Sequence, residues 1–345
     1  MNCYQLLQDP DQAVVKQQLN MLLGDDHPQV LENLRREADQ VRHRQVGDTV
    51  HIRGIIEFSN YCIRSCRYCG LNRSNEEIHR YRIPPDEIVE TAREAAAMGL
   101  KTIVLQSGDD FFYTREVMAD MVREIKKTGM AITLAMGERP AEDYRAWREA
   151  GADRYLLKFE TSNPGLYSLF HPGTSLDIRL RCLLELRELG YQVGSGFMIG
   201  LPGQTAEILA DDLMLMRHLQ LEMAGVGPFI PHPATPLGVK QAGGVPLALK
   251  VLALSRLMLP RAHLPATTAL SSLERDGRRL GLTGGANVLM PNITPLEYRK
   301  LYEIYPQKAE VTDTPWDLYK ATLELINELG RYVAIDPGHG LTPIK

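Results

Sequence analysis

Three of the five cysteines fall between positions 62 and 69, in the run Asn60-Tyr61-Cys62-Ile63-Arg64-Ser65-Cys66-Arg67-Tyr68-Cys69-Gly70. The spacing is C-x3-C-x2-C, short enough for one looped segment to wrap a single metal centre. An iron–sulfur cubane is usually caged by four cysteines. Three leave one iron open to an outside ligand, and that open corner is where chemistry can happen. A structural zinc site is the competing reading. Zinc wants four protein ligands in a closed tetrahedron. Here no histidine follows at finger spacing, so Cys3 or Cys182 would have to supply the fourth. A disulfide would leave an odd thiol and suits a cytosolic enzyme poorly.

The elements around this run place it. It follows directly on His51–Phe58, a β-rich stretch, and so stands at the C-terminal end of a first strand. Further strand candidates are Thr102–Leu105, Ala131–Met136, Arg154–Phe159, Gln192–Ile199, Met223–Ile230, Ala266–Leu270 and Val288–Met290. Amphipathic runs lie between them: Arg115–Thr128, Ala141–Ala150, Asp177–Leu189, Ala206–Leu219, Leu247–Leu259 and a looser Glu274–Leu282. Eight strand-like runs alternating with helices predict an α/β fold, a (β/α)8 TIM-type barrel, whose chemistry sits at the C-terminal rim. Helices over Gln12–Leu23 and Gln29–Gln45 precede it, and Trp316–Leu329 reads as a C-terminal helix. The expected division is a helical extension over 1–48, the barrel over 49–330 and a tail over 331–345, loose from Asp336 onward. An open dinucleotide fold would need G-x-G-x-x-G after a strand. The run Gly194-Ser195-Gly196-Phe197-Met198-Ile199-Gly200 misses that spacing by one residue and lies inside an apolar stretch, where small residues let backbone or ligand approach.

Composition narrows the partners. Thirty-nine basic against 43 acidic residues give a net charge of −4, which disfavours nucleic acid. No stretch has the roughly 18 apolar residues of a membrane span, and no basic-then-apolar leader is visible at Met1–Asp11. A cytoplasmic enzyme is expected. His171 and His232 sit beside loop prolines and read as exposed, and Cys182 reads as core packing.

The C-x3-C-x-aromatic-C run, with Tyr68 at the aromatic position, resembles the radical S-adenosylmethionine (SAM) superfamily. Ile52–Asn60, Arg80-Tyr81-Arg82, Thr102–Asp109, Gly151–Leu157, Gly200–Thr205, Gly227–Pro233 and Gly285–Asn292 together resemble the HydE-type maturases of FeFe hydrogenase. Biotin synthase and methylornithine synthase are more distant relatives. The resemblance implies a 4Fe-4S cluster on Cys62, Cys66 and Cys69, with SAM chelated at the open iron and cleaved to a 5′-deoxyadenosyl radical. It places Tyr68 near the adenine, Ser107 and Gly108 at the methionine end, Glu160 at the ribose hydroxyls and Arg179 on the SAM carboxylate. Tyr302 would close the cavity near the radical carbon. Arg53, Thr133, Lys158, Thr267, Thr268 and Met290 would line the substrate end. The implied substrate is a cysteine-bound iron carbonyl cyanide species. The implied partners are sister maturases (a tyrosine-cleaving radical SAM enzyme and a GTPase scaffold) and an electron donor. Two departures stand out. HydE-type relatives with an accessory cluster carry three further cysteines near the C-terminus, and Lys308–Tyr319 has none. Relatives also place Arg and His before the strand-four Glu, where this chain has Lys158 and Phe159. Lysine lacks the bidentate fork of arginine. An amino-acid substrate, as in a methylornithine-synthase-like mutase, is therefore the alternative.

Overall fold

A computed structural model describes residues 3–306, 308, 309 and 312–340. Among the described residues ten strands are formed: β1 (Thr49–Ser59), β2 (Thr102–Ser107), β3 (Ala131–Ala135), β4 (Arg154–Leu156), β5 (Gln192–Ser195), β6 (Met198–Ile199), β7 (Met223–Ala224), β8 (Gly227–Pro228), β9 (Val288–Leu289) and β10 (Tyr332–Val333). Pairing runs β1-β2-β3-β4-β5-β7, every pair parallel. From β7 the ring passes through single bridges at His263 and Pro265 to β9, which pairs back onto β1. Eight positions around this ring close the barrel, in the order expected from the sequence.

Two of the expected long strands are broken. Gln192–Ile199 divides into β5 and β6, and Met223–Ile230 into β7 and β8. The break has a steric cause. Gly196 has φ 151°, and a Cβ there would lie 2.1 Å from the carbonyl oxygen of Gly225. The two chains therefore kink side by side, and the small residues admit neighbouring backbone. The seventh strand is also corrected. Ala266–Leu270 is not a strand, because the Thr267 side chain accepts from Leu270 N–H and starts a helix at Thr268.

The helices are α1 (Cys3–Leu7), α2 (Gln12–Gly24), α3 (Pro28–Val46), α4 (Pro85–Ala97), α5 (Arg115–Lys126), α6 (Ala141–Ala150), α7 (Pro164–Phe170), α8 (Leu176–Glu188), α9 (Ala206–His218), α10 (Val245–Met258), α11 (Thr268–Leu273), α12 (Gly277–Leu282), α13 (Leu296–Arg299) and α14 (Pro315–Glu328). Thr114, Ser175, Thr205 and Thr314 cap α5, α8, α9 and α14 through their hydroxyls. Each starts its helix at the polar residue before an amphipathic run. Helix α2 packs on α9 and α3 on α10, so the N-terminal helices lie outside the ring. Among the described residues no helix is long and apolar enough to cross a membrane.

The tail is not loose where it is described. β10 pairs with β1, and residues 336–340 cross the end of the barrel opposite the cysteine loop. Arg154 Nη2 donates to Pro337 O at 2.6 Å, Thr102 Oγ1 to the same oxygen at 2.9 Å, and Gly340 N–H to Gln192 Oε1 at 2.9 Å. The remaining expectation, for residues 341–345, lies outside the described residues.

Candidate functional site

The cysteine loop leaves β1 at its C-terminal end and is held by main-chain bonds to three other loops. Ile63 N–H donates to Asp109 O, Arg67 N–H to Phe170 O, and Tyr68 O accepts from His232 N–H. Asn60 anchors its start: its amide donates to His79 O and Leu301 O, and its side-chain oxygen accepts from Tyr81 N–H. Gly108 lets the loop after β2 close on it, since a Cβ there would sit 2.3 Å from Tyr61 O and 2.7 Å from the Cys62 Cβ.

Cys62, Cys66 and Cys69 line one cavity of about 430 Å³ at this end of the barrel, within the range of about 300–1,000 Å³ that small-molecule sites occupy. Burial pushes all three thiols up, Cys69 to about 12, and the neighbouring thiols push Cys66 and Cys69 the same way. Arg64 N–H and Asp109 N–H both donate to the Cys62 sulfur at 3.4 Å. Among the described residues no group of three or more His, Cys, Asp or Glu side chains is arranged around a single ion. Three thiols are one short of the four protein ligands a closed zinc tetrahedron takes, and on a cubane they would leave one iron corner open.

The other expected residues largely converge on the same cavity. Tyr68, Ser107, Gly108, Lys158, Glu160, Arg179, Thr267, Thr268, Met290 and Tyr302 all line it. Glu160 has φ 66°, a left-handed conformation that few residues other than glycine adopt. Lys158 Nζ lies 3.1 Å from Glu160 Oε2 but off the hydrogen-bonding direction, so that buried oxygen keeps an unmet capacity to accept. Arg179 Nε donates to Glu138 Oε1 at 2.7 Å, and its Nη1 donates to Lys158 O at 2.7 Å. Tyr302 Oη accepts from Gln106 Nε2 at 3.4 Å.

Two expected residues lie outside the lining. Arg53 pairs with Thr102 at the far end of the barrel, where its guanidinium donates to the Met223 sulfur and to Gly338 O. Thr133 lies two residues nearer the rim in the ladder, buried between Val104 and Arg154, with its hydroxyl unpartnered. The reason is depth. Arg53 comes six residues before Ser59, so it stands about 20 Å below the rim at strand rise.

Sequence reasoning missed several groups. His171, expected exposed, is 2% exposed and lines the cavity. Its Nδ1 faces Tyr167 O at 3.1 Å and its Nε2 faces Tyr68 Oη at 2.9 Å. With Nδ1–H on the carbonyl, Nε2 is the acceptor and the Tyr68 hydroxyl donates. Burial pushes His171 down to about 4, so it is neutral at physiological pH. Glu138 was also missed. It accepts from Arg64 at 2.9 Å and from Arg179 at 2.7 Å, and Arg64 reaches Asp109 at 2.6 Å, so two cations and two anions form one chain beside the cysteines. At the opposite wall Lys308 pairs with Glu57, which also accepts from Asn292 Nδ2. A carboxylate directly after the apolar pair Ile55-Ile56 was the available signal for Glu57. Nothing local marks Glu138.

The donor set fits the groups that the resemblance implies. Three thiols open on the cavity, a buried carboxylate oxygen there awaits a donor, and a guanidinium faces the same space. Comparison with known proteins agrees. Residues 56–216 match the sequence profile of the radical SAM superfamily. The chain is 51% identical over 307 residues to the [FeFe] hydrogenase maturase subunit HydE of Thermotoga maritima, covering 89% of this chain and 88% of that one. It is 30% identical over 285 residues to the 3-methylornithine synthase of Methanosarcina acetivorans, covering 81% and 80%. The crystal structure of methylornithine synthase (PylB) superposes with a TM-score of 0.83 at 28% identity, covering 92% of this chain and 94% of that one.

Proposed function

This chain belongs to the radical SAM superfamily, in its HydE-type branch, and from that premise we propose that it acts in assembly of the FeFe-hydrogenase cofactor on a cysteine-bound iron carbonyl cyanide substrate. It is an enzyme that uses a 4Fe-4S cluster and SAM. When bound, these supply a one-electron cleavage of SAM that yields a 5′-deoxyadenosyl radical.

The chain's own residues have separable tasks. Cys62, Cys66 and Cys69 hold three corners of the cluster. Glu160 offers its free oxygen to a ribose hydroxyl. Arg179, held by Glu138 and Lys158 O, presents its remaining N–H groups to a carboxylate, and its planar fork suits that. Tyr68, braced by His171, stands where an adenine would stack. Tyr302 lies against Gln106 at the wall beyond, and Lys158, Thr267, Thr268 and Met290 face the substrate. A cavity enclosed by these loops keeps water from a reactive carbon.

The observation that carries this reading is the convergence of the three cysteines, Glu160 and Arg179 on one cavity. The test is anaerobic reconstitution with iron and sulfide, then dithionite and SAM, with 5′-deoxyadenosine as the readout. Wild type releases it, and Cys66→Ala releases none. Release by the variant would refute the ligand assignment. The sister maturases, the tyrosine-cleaving enzyme upstream and the GTPase scaffold downstream, are the proposed partners.

A second reading has one observation in its favour. Lys158 and Glu160 place opposite charges side by side on the wall, as an α-amino acid would require. Under that reading an added amino acid, rather than the iron complex, is consumed when SAM is cleaved.

A further inference from the structure

Arg80 lies eleven residues beyond the last cysteine, and its guanidinium is spent on main chain. Nη1 donates to Asn60 O at 2.5 Å and to Leu71 O at 2.9 Å. Nη2 donates to Asn72 O at 2.7 Å and to Asn75 O at 3.2 Å. One side chain thus ties the residues before Cys62 to the residues after Cys69. Four carbonyls converging on one fork define the width of the loop between them. A lysine, a point charge with three rotating donors, cannot reproduce that geometry.

The charge of Arg80 is also unmatched. Arg64 and Arg82 on the same stretch are neutralised by Asp109, Glu138 and Asp110. Among the described residues no carboxylate forms an ion pair with Arg80. Its hydrogen bonds to Asn60 O and Leu71 O hold that charge two residues along the chain from Cys62 and from Cys69. A fixed cation beside three thiolates favours the state that holds one more electron, and groups just outside the ligand shell are known to tune such potentials.

We propose that Arg80 is a positioning residue of the iron–sulfur site, clamping both arms of the cysteine loop and supplying the unmatched positive charge that eases one-electron reduction there. This rests on the reading that Cys62, Cys66 and Cys69 hold the cluster. The electron comes from a low-potential one-electron reductant, dithionite in the test below.

The experiment compares full-length wild type, Arg80→Gln and Arg80→Lys after anaerobic reconstitution. The readouts are iron and sulfide per chain, redox titration followed by EPR without SAM, and melting of the metal-free chains by circular dichroism. At the potential where wild type is half reduced, Arg80→Gln is expected to have a reduced-to-oxidised ratio about tenfold lower, which is about 59 mV for one electron. Arg80→Lys keeps the charge and is expected to stay within about threefold of the wild-type ratio, while losing iron to a chelator about tenfold faster. A wild-type midpoint in Arg80→Gln overturns the proposal. If Arg80→Gln takes up no iron, Arg80→Lys decides: a near-wild-type midpoint supports the proposal, and a tenfold displacement overturns it. No iron in either variant, with metal-free melting unchanged, supports the clamp. Failure of both metal-free variants to fold overturns the proposal in favour of a general structural role. Wild type that binds no cluster sinks the cysteine assignment itself, whereas a loaded wild type matched by Arg80→Gln sinks only the role of Arg80.

Discussion

Glu160 keeps a left-handed backbone at the rim of the barrel and leaves one carboxylate oxygen without a hydrogen-bond donor. Both features cost stability, of order 1–3 kcal/mol for a residue held in such a conformation. The proposed reason for holding it there is a hydrogen bond to bound SAM. Replacing it separates the two effects. Glu160→Gln keeps the shape and loses the charge, and SAM affinity is expected to fall about tenfold to a hundredfold, the loss of one charged hydrogen bond. Glu160→Gly relieves the backbone, and the metal-free chain is expected to melt no lower than wild type while SAM affinity is lost. Equilibrium binding and calorimetric melting check both. A Glu160→Gly chain that melts several degrees lower would mean the conformation is built for stability. At this scale the cysteines were legible because ligands of one loop are neighbours in sequence. Glu138 was not, because its partner Arg64 is 74 positions away and only the closed barrel brings them together. Arg53 was named at the substrate end only through the family resemblance, and a strand sequence carries no mark of depth along the barrel.

Among the elements, the seventh strand is where sequence and structure part. Ala266–Leu270 carries two threonines, and threonine is a β-former by propensity. It is also a good N-cap, and here the cap wins: Thr267 Oγ1 accepts from Leu270 N–H at 3.4 Å and α11 begins. The choice matters because the turn into α11 puts Thr267 and Thr268 on the cavity wall. Thr267→Val keeps the β-branch and removes the cap oxygen. It is expected to destabilise the fold by about 1 kcal/mol, and Thr267→Ser is expected to restore most of it. Urea titration of the metal-free chain measures this, and a Thr267→Val chain as stable as wild type would show that the bond contributes nothing. Helices α5, α8, α9 and α14 were legible to within a residue or two, since periodicity and a capping hydroxyl agree there, whereas α4 was not named and has no side-chain cap. The short strands after Gly196 and Gly225 were not, because the contact that breaks them lies between two chains rather than along one.

Taken whole, the barrel is a tube with one working end, and acid and truncation probe its two ends differently. His171 beneath the cysteine loop is held neutral by burial, pushed down to about 4, and His51 at the far end is pushed to about 4 for the same reason. In the unfolded chain each takes a proton near pH 6.5. The stability they contribute is therefore present above pH 6.5 and lost as pH falls towards about 4. For His171 alone the loss is about 3 kcal/mol over that window. Urea midpoints measured across it should fall steadily, and less steeply in His171→Gln. Removal of residues 336–345 probes the far end. There Arg53 and Arg154 are buried and bond to carbonyls of the tail, with no carboxylate in ion-pairing contact among the described residues. Without those carbonyls Arg53 keeps the Met223 sulfur and Arg154 keeps Gln192 Oε1 and Thr102 Oγ1, and each guanidinium loses one acceptor, a cost of about 1–3 kcal/mol unless water enters. The truncated chain is expected to melt markedly lower yet to take up iron and sulfide like wild type, because the cysteine loop is anchored at the opposite end by Asn60 and the loops after β2, α7 and β8. Equal loss of stability and of cluster uptake would mean that the two ends are coupled through the core. Unchanged melting would return the tail to the loose segment that its polar sequence suggests.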